Sequence, residues 1–190
     1  PLTRKLVDII GVPYFDAVLE AETTCSHLCL SGVVDGVLSE DTDVLAYGTP
    51  LFLTKINTSA ETCVIVKIED ILESLDLTYF QFRDLCIMCG CDYNKNIPRV
   101  GSQTAYKLLA EHGSIDDLPE KFDISILNHN RGRELFTLDD QLKWEIPFCR
   151  EPDWDELKLF LFKNNSRINI EYLERCFQTK EIVFEDSDDE

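Results

Sequence analysis

Val34–Asp43 reads VDGVLSEDTD, a short buried strand that runs out into two carboxylates, Asp41 and Asp43. Just upstream lies LEAETTCSHLCLSG, in which Ala21, Cys25, Leu28 and Cys29 recur at helical spacing and Gly32 closes the segment. Before it, Val12–Val18 is rich in β-formers, has Pro13 near its start and reads as a further strand. With Val33–Ser39 as the second strand, the order strand, helix, strand within about thirty residues is the signature of a right-handed βαβ unit in a parallel sheet. Such sheets bind ligands beyond the carboxyl ends of their strands. Glu20 and Glu22 fall at the first strand-to-helix junction, near the positive end of the helix dipole, and Asp41 and Asp43 at the second strand end. Asp92, in GCDY, is a fifth carboxylate read toward the same place.

The remaining elements follow from local signals. Thr3–Ile10 ends a helix at Gly11. Leu51–Ile56 and Cys63–Ile68 are two more strands joined by the polar turn NTSAET, and Glu69–Leu75 is a short helix. Thr78 with Gln81 forms a capping box that opens a helix through Met88, which Gly90 ends. Asp92 therefore stands just past a helix C-terminus, where the dipole disfavours a carboxylate, so it is either placed for a purpose or a solvated loop residue. Ile97–Val100 is a loop, and Gly101–His112 is a helix with His112 as an end residue. Arg131–Lys143, Trp154–Phe162 and Ile170–Phe177 are the later helices, with Trp154, Leu157, Phe160 and Leu161 as a core stripe.

Composition bounds the function. An apolar fraction of 44% and a charged fraction of 28% suit a globular protein with a sizeable core, and no apolar run approaches bilayer length, so no membrane partner is expected. The chain begins at Pro1 without a signal-peptide pattern, and it reads as a processed product or a piece of something longer. Eight cysteines without such a signal imply a reducing, intracellular setting and free thiols. Cys86 and Cys89 make a CxxC, but they share an apolar helix face with Phe82 and Leu85, and neither a second CxxC nor a nearby His completes a zinc site. Cys25, Cys29 and Cys86 read as core fillers. A net charge of −18 runs against nucleic-acid binding, which favours a basic footprint, although part of it sits in the tail EDSDDE, read as disordered. Ser187, followed by Asp188, Asp189 and Glu190, suits an acid-directed kinase.

The carboxylate pairs carry the chemistry. Two like charges 4 Å apart cost about 4 kcal/mol at an effective dielectric of 20, so converging pairs call for a cation or protons. Hard oxygen donors select Mg²⁺ or Mn²⁺, with water and substrate phosphate completing the shell. Two such ions about 4 Å apart activate a water and stabilise the leaving oxygen of an in-line displacement, and no His base is needed. On spacing alone, ExE and DxD pairs also fit solvated loops.

GVPYFDAVLEAETTC, DGVLSEDTDVLAYG and FRDLCIMCGCDYNKNIPRVG, in this order and at these separations, resemble the XPG/flap-endonuclease family of structure-specific 5′ nucleases. The likeness covers Leu6 to about His112, and PDWDELKLFLF is similar to the family's C-terminal helical segment. It implies an α/β, parallel-sheet, PIN-like nuclease core, incomplete at its N-terminus. A helix-two-turn-helix element and a helical C-terminal extension would follow. The corresponding regions are 1–77 for the core, 78–118 for the hairpin, 119–184 for the extension and 185–190 for the acidic tail. Glu20, Glu22, Asp41, Asp43 and Asp92 match the family's metal-binding, catalytic carboxylates, which implies two Mg²⁺ ions with Mn²⁺ as a substitute. Gly90–Tyr93 and the following loop match the start of the duplex-gripping element, which in the family binds a monovalent cation through backbone oxygens. Gly101, opening a helix, suits phosphate binding.

Departures limit what the resemblance implies. The family's N-terminal half, with two more aspartates, an arch and a basic gateway helix, has no counterpart in this sequence, so a complementary nuclease half in the same or another chain is the implied partner. The hairpin's Gly-x-Gly stands here as Arg99-Val100-Gly101, and Gln103 and Thr104 replace the basic pair after it, which leaves Lys95, Arg99 and Lys107 as phosphate contacts. No sliding-clamp box is recognisable around Gln178. The expected function is metal-dependent hydrolysis of DNA at single-strand/double-strand junctions in replication and repair, with nuclear localisation implied by the resemblance and the cytoplasm as the alternative. The competing reading is a non-catalytic DNA-binding or assembly subunit. A plain α/β domain with solvated acids is the third.

Overall fold

In the computed structural model of the chain, residues 2–14, 16–17, 20–91, 94–137 and 148–178 are described. Elements follow in the order α1 (Leu2–Ile10), α2 (Ala21–Leu30), β1 (Val37–Leu38), α3 (Asp43–Ala46), β2 (Leu51–Asn57), β3 (Thr62–Lys67), α4 (Ile68–Leu75), α5 (Tyr79–Cys89), α6 (Ser102–His112), α7 (His129–Leu135), α8 (Trp154–Lys163) and α9 (Ile170–Gln178). Two short 3₁₀ turns, Ile115–Asp117 and Ile124–Leu127, link α6 to α7. By packing, the chain divides into Pro1–Phe15 with Ile146–Glu190, and Asp16–Glu145. The sequence-based division, by contrast, groups α1 with the sheet.

The larger unit holds a three-stranded sheet ordered β1-β2-β3. β1 runs parallel to β2, with Val37 opposite Phe52, and β3 returns antiparallel, with Leu53 opposite Ile65. The α/β expectation stands, and the NTSAET turn forms: Asn57 Oδ1 accepts from the N–H groups of Ser59 (3.1 Å) and Ala60 (3.0 Å). Two strand expectations need correction. Val33–Ser39 shrinks to Val37–Leu38, because the N–H groups of Val33 and Val34 donate to Leu28 O at 3.0 and 3.4 Å and so close the turn after α2. The described residues of Val12–Val18 form no strand: the N–H of Val12 donates to Val7 O at 3.1 Å, and Pro13 has no N–H to offer a ladder.

Phe52, Val37, Val44 and Cys29 close a small core between α2, α3 and the sheet. A larger one gathers Leu85, Ile87 and Met88 of α5, Ala105 and Leu109 of α6, Ile115, Leu127 and Phe136. The capping box at α5 is present in both arms: Thr78 Oγ1 accepts from Gln81 N–H at 3.3 Å, and Gln81 Oε1 accepts from Thr78 N–H at 2.9 Å. Phe82 and Leu85 are buried and Cys86 half-buried, but Cys89 is exposed, because the helix ends there and its apolar stripe runs out. Burial, reinforced by nearby Cys89 and Asp43, pushes the Cys86 thiol up to about 12, which makes it an inert core group. All eight cysteines are free thiols.

The second unit is built on the expected helical stripe. Leu157 is 0% exposed and, with Leu161 and Ile9, forms its core, while Trp154 meets Phe177 edge-to-face at 5.5 Å. The predicted Arg131–Lys143 helix begins two residues early at His129 and ends at Leu135, with Phe136 as its C-cap and Thr137 already outside it; residues from 138 to 147, like the acidic tail and Ser187, lie outside the described residues. Among the described residues, no helix is long and apolar enough to cross a membrane.

Candidate metal centre and nucleic-acid interface

Glu20 is the N-cap residue of α2, in extended conformation (φ −72°, ψ 149°), and Glu22 lies in the first helical turn. Both carboxylates thus stand where the helix dipole is positive. After β1, the chain turns rather than continuing straight. The N–H of Asp41 donates to Ser39 Oγ at 3.0 Å, and the N–H of Asp43 donates to Asp41 Oδ1 at 2.9 Å. Asp43 then opens α3, an element that sequence periodicity did not reveal because only Asp43–Ala46 are helical. Glu40, in the same acidic run, has a structural task. It accepts from the N–H of Lys55 (3.1 Å) and from the Thr54 hydroxyl (3.4 Å), holding the loop onto the irregular stretch of β2.

The two acidic elements meet at a residue that the sequence reading passed over. Tyr47, immediately after α3, is 5% exposed, and its hydroxyl lies 2.7 Å from Thr23 Oγ1 in the first turn of α2. Burial raises the Tyr47 phenol above its ordinary range; the bond to Thr23 opposes the rise, and the charges of Glu20, Asp43 and Glu22 add to it. The Thr23–Tyr47 contact therefore sets the α2 element that carries Glu22 beside the α3 element that carries Asp43, and Asp41 adjoins Asp43 through its turn. Asp92 lies outside the described residues. Among the described residues, no three His, Cys, Asp or Glu side chains enclose a metal ion. The arrangement is open. Its all-oxygen donors fit Mg²⁺, which keeps several waters and takes one or two carboxylates with substrate phosphates rather than a closed protein cage.

The hairpin loop after α5 is held by side-chain amides. Asn94 Oδ1 accepts from the N–H of Cys91 at 2.8 Å while its Nδ2 donates to Ile87 O at 2.7 Å, and Asn96 Nδ2 donates to Cys89 O at 2.9 Å. Gly90 has φ +111°, and a Cβ there would lie 2.7 Å from Asn96 Oδ1, so the turn requires glycine. Ile97 and Val100 are buried, which turns the intervening backbone outward. Lys95, Arg99, Gly101 and Lys107 are all exposed. Gly101 caps α6 without a side-chain bond, and no atom lies within 4 Å of where its Cβ would be, so an approaching group can reach the helix N-terminus.

Behind the hairpin stands a charge network with no forewarning in local sequence pattern. Asp84, 3% exposed on α5, accepts from Arg133 Nε (2.8 Å) and Nη2 (2.5 Å) and from the N–H of Ile115 (3.2 Å). Arg133 also donates to Asp116 at 2.6 Å, and His129 Nε2 lies 2.8 Å from the other Asp116 oxygen. These bonds fasten α5, the 3₁₀ turn after α6, and α7 to one another.

Comparison with known proteins follows the same lines. The XPG I-region family model matches residues 11–92. Flap endonuclease 1 of Cryptosporidium parvum (strain Iowa II) is 34% identical over 206 residues, covering 93% of this chain and 42% of that protein. Flap endonuclease 1 of Zea mays is 38% identical over 177 residues, covering 85% and 45% respectively. The chain spans less than half the length of these relatives. Among solved structures, the catalytic core of Rad2 in complex with DNA substrate superposes with a TM-score of 0.73 at 20% identity over 93% of this chain and 66% of that one. The Holliday junction-resolving enzyme GEN1 in complex with product DNA and Mg²⁺ gives a TM-score of 0.54 at 24% identity over 93% and 46%. These two likenesses establish the nuclease-core fold.

Proposed function

This chain belongs to the XPG/flap-endonuclease family, and from that premise we propose that it carries the metal-binding and duplex-gripping portion of a structure-specific 5′ nuclease acting on DNA junctions in replication and repair. One observation supports the reading: Thr23, next to Glu22 in the first turn of α2, lies 2.7 Å from the hydroxyl of Tyr47, one helical turn after Asp43, so the two acidic elements are side by side although about twenty residues separate them in the chain. Glu20, Glu22, Asp41 and Asp43, with Asp92, would hold two Mg²⁺ ions or Mn²⁺ in their place. Bound there, the metals would supply an activated water and charge neutralisation at the scissile phosphate, for a hydrolysis that would leave a 5′-phosphate.

The chain's own groups do the positioning. The bonds of Asn94 and Asn96 fix the hairpin backbone, whose carbonyls would take a monovalent cation. The open N-terminus of α6 at Gly101 offers amides to a phosphate, and Lys95, Arg99 and Lys107 would add backbone contacts that set register without reading sequence. The reading also requires the part of the relatives that these residues do not span, in the same or another chain, and the nucleus is its setting. The four-region division, with the hairpin at 78–118, goes with the same reading.

The second reading, a non-catalytic DNA-binding or assembly subunit, is favoured by the thinned hairpin, where Arg99 stands in the Gly-x-Gly and Gln103 and Thr104 follow Gly101. A labelled 5′-flap duplex in Mg²⁺, incubated with the chain alone and with a polypeptide supplying the part of the relatives that it does not span, separates the two. Release of the flap at the junction is expected; binding without release under both conditions supports the subunit and overturns the nuclease. In a chain of net charge −18, the three cations should dominate DNA contact. Replacing Lys95, Arg99 and Lys107 together by alanine should weaken binding equally across sequences and flatten the slope of log affinity against log salt by about two to three. A salt titration that keeps its slope would place the DNA elsewhere.

A further inference from the structure

We infer that Thr23 and Tyr47 form a positioning pair, a hydroxyl tether that sets the separation of the two acidic elements and so tunes the affinity of the metal centre. The inference rests on the metal-centre reading given above and adds residues that are not themselves ligands. Thr23 follows Glu22 directly in the first turn of α2, and Tyr47 lies one helical turn after Asp43, so the 2.7 Å contact joins the backbones that carry Glu22 and Asp43. The Tyr47 ring is fixed from behind: it is buried and meets Phe136 edge-to-face at 5.1 Å, with an interplanar angle of 74°. A ring held on one side and bonded on the other transmits little slack, and a short, partly buried bond costs more to lose than one in water. Like charges on two elements push them apart, and this bond runs from the first turn of α2 to the residue after α3, where it resists that separation.

The test uses the full chain and Mn²⁺ as the probe, with affinity read by electron paramagnetic resonance. Tyr47→Phe keeps the ring and removes only the hydroxyl; it should weaken Mn²⁺ binding roughly three- to tenfold, the change that one hydrogen bond of ordinary net strength is worth. Thr23→Val should do the same, and the double variant should lose no more than either single change, since both remove one bond. Tyr79→Phe is the control: its hydroxyl donates to Ala46 O at 2.9 Å and so fastens α3 to α5 but not to α2, and Mn²⁺ affinity should stay within about twofold of wild type. Thermal unfolding of each variant separates loss of fold from loss of position. Unchanged affinity in Tyr47→Phe, independent losses that add in the double variant, or an equal loss in Tyr79→Phe overturns the tether. A wild-type chain that binds no Mn²⁺ removes the metal centre itself and the tether with it, which is distinguishable from a centre that binds but ignores Tyr47.

Discussion

Asp41→Ala is expected to reduce Mg²⁺-dependent cleavage of a flap substrate by at least about a thousandfold, while DNA affinity changes by less than about threefold. Two features set these magnitudes apart. In the proposed centre Asp41 would contribute a hard oxygen, and its Oδ1 also accepts the N–H of Asp43 at 2.9 Å, so the variant would lose a ligand and loosen the turn that orients the next one. DNA affinity, by contrast, is assigned to the hairpin cations and the amides of α6, which Asp41 does not touch. Asp41→Asn sharpens the comparison, because the amide oxygen can still accept from Asp43 while the ligand charge is gone. Cleavage should fall nearly as far as in the alanine variant. Undiminished cleavage in both would remove Asp41 from the site.

The second large effect is on stability. Asp84→Ala should destabilise the larger unit by about 3 kcal/mol, the lower end of the cost of breaking a buried ion pair, because Arg133 keeps Asp116 as a partner. Chemical denaturation of variant and wild type gives the value; a loss under about 1 kcal/mol would show that the pair is dispensable. The same network makes acid destabilising. Hydrogen bonds from Arg133 and His129 hold the Asp116 carboxyl below its ordinary range. Its contribution is therefore complete above the unfolded carboxylate value of about 4 and disappears as pH falls through the lower, folded value. Asp116→Asn should remove that part of the acid-side slope and leave stability at neutral pH lower but flat.

What could be read in advance divides along physical lines. Short-range signals were legible: the Thr78–Gln81 capping box, the helix that begins after Glu20, and the polar turn between β2 and β3 all depend on residues within a few positions of one another. The described residues of Val12–Val18 form no strand for a reason invisible to propensity, since Val12 gives its N–H to Val7 O and Pro13 has none to give. Glu40, which stands in the same acidic run, gives both its oxygens to β2, a task that no local pattern reveals. The Asp84–Arg133 pair spans 49 positions, and the Thr23–Tyr47 contact 24; neither spacing carries a periodicity that sequence alone could reveal. The ordered motifs located four of the carboxylates at element ends, and tertiary packing supplied the hydroxyl between them.

The most direct test of the metal centre is a Mn²⁺ titration of the chain itself, followed by electron paramagnetic resonance, in wild type and in Asp43→Asn. Saturable binding of more than one Mn²⁺, competed by Mg²⁺ and weakened at least about tenfold by Asp43→Asn, is the expected result for carboxylates gathered as ligands. Wild-type Mn²⁺ binding no different from that of the variant would contradict it and leave Glu20, Glu22, Asp41 and Asp43 as solvated acids.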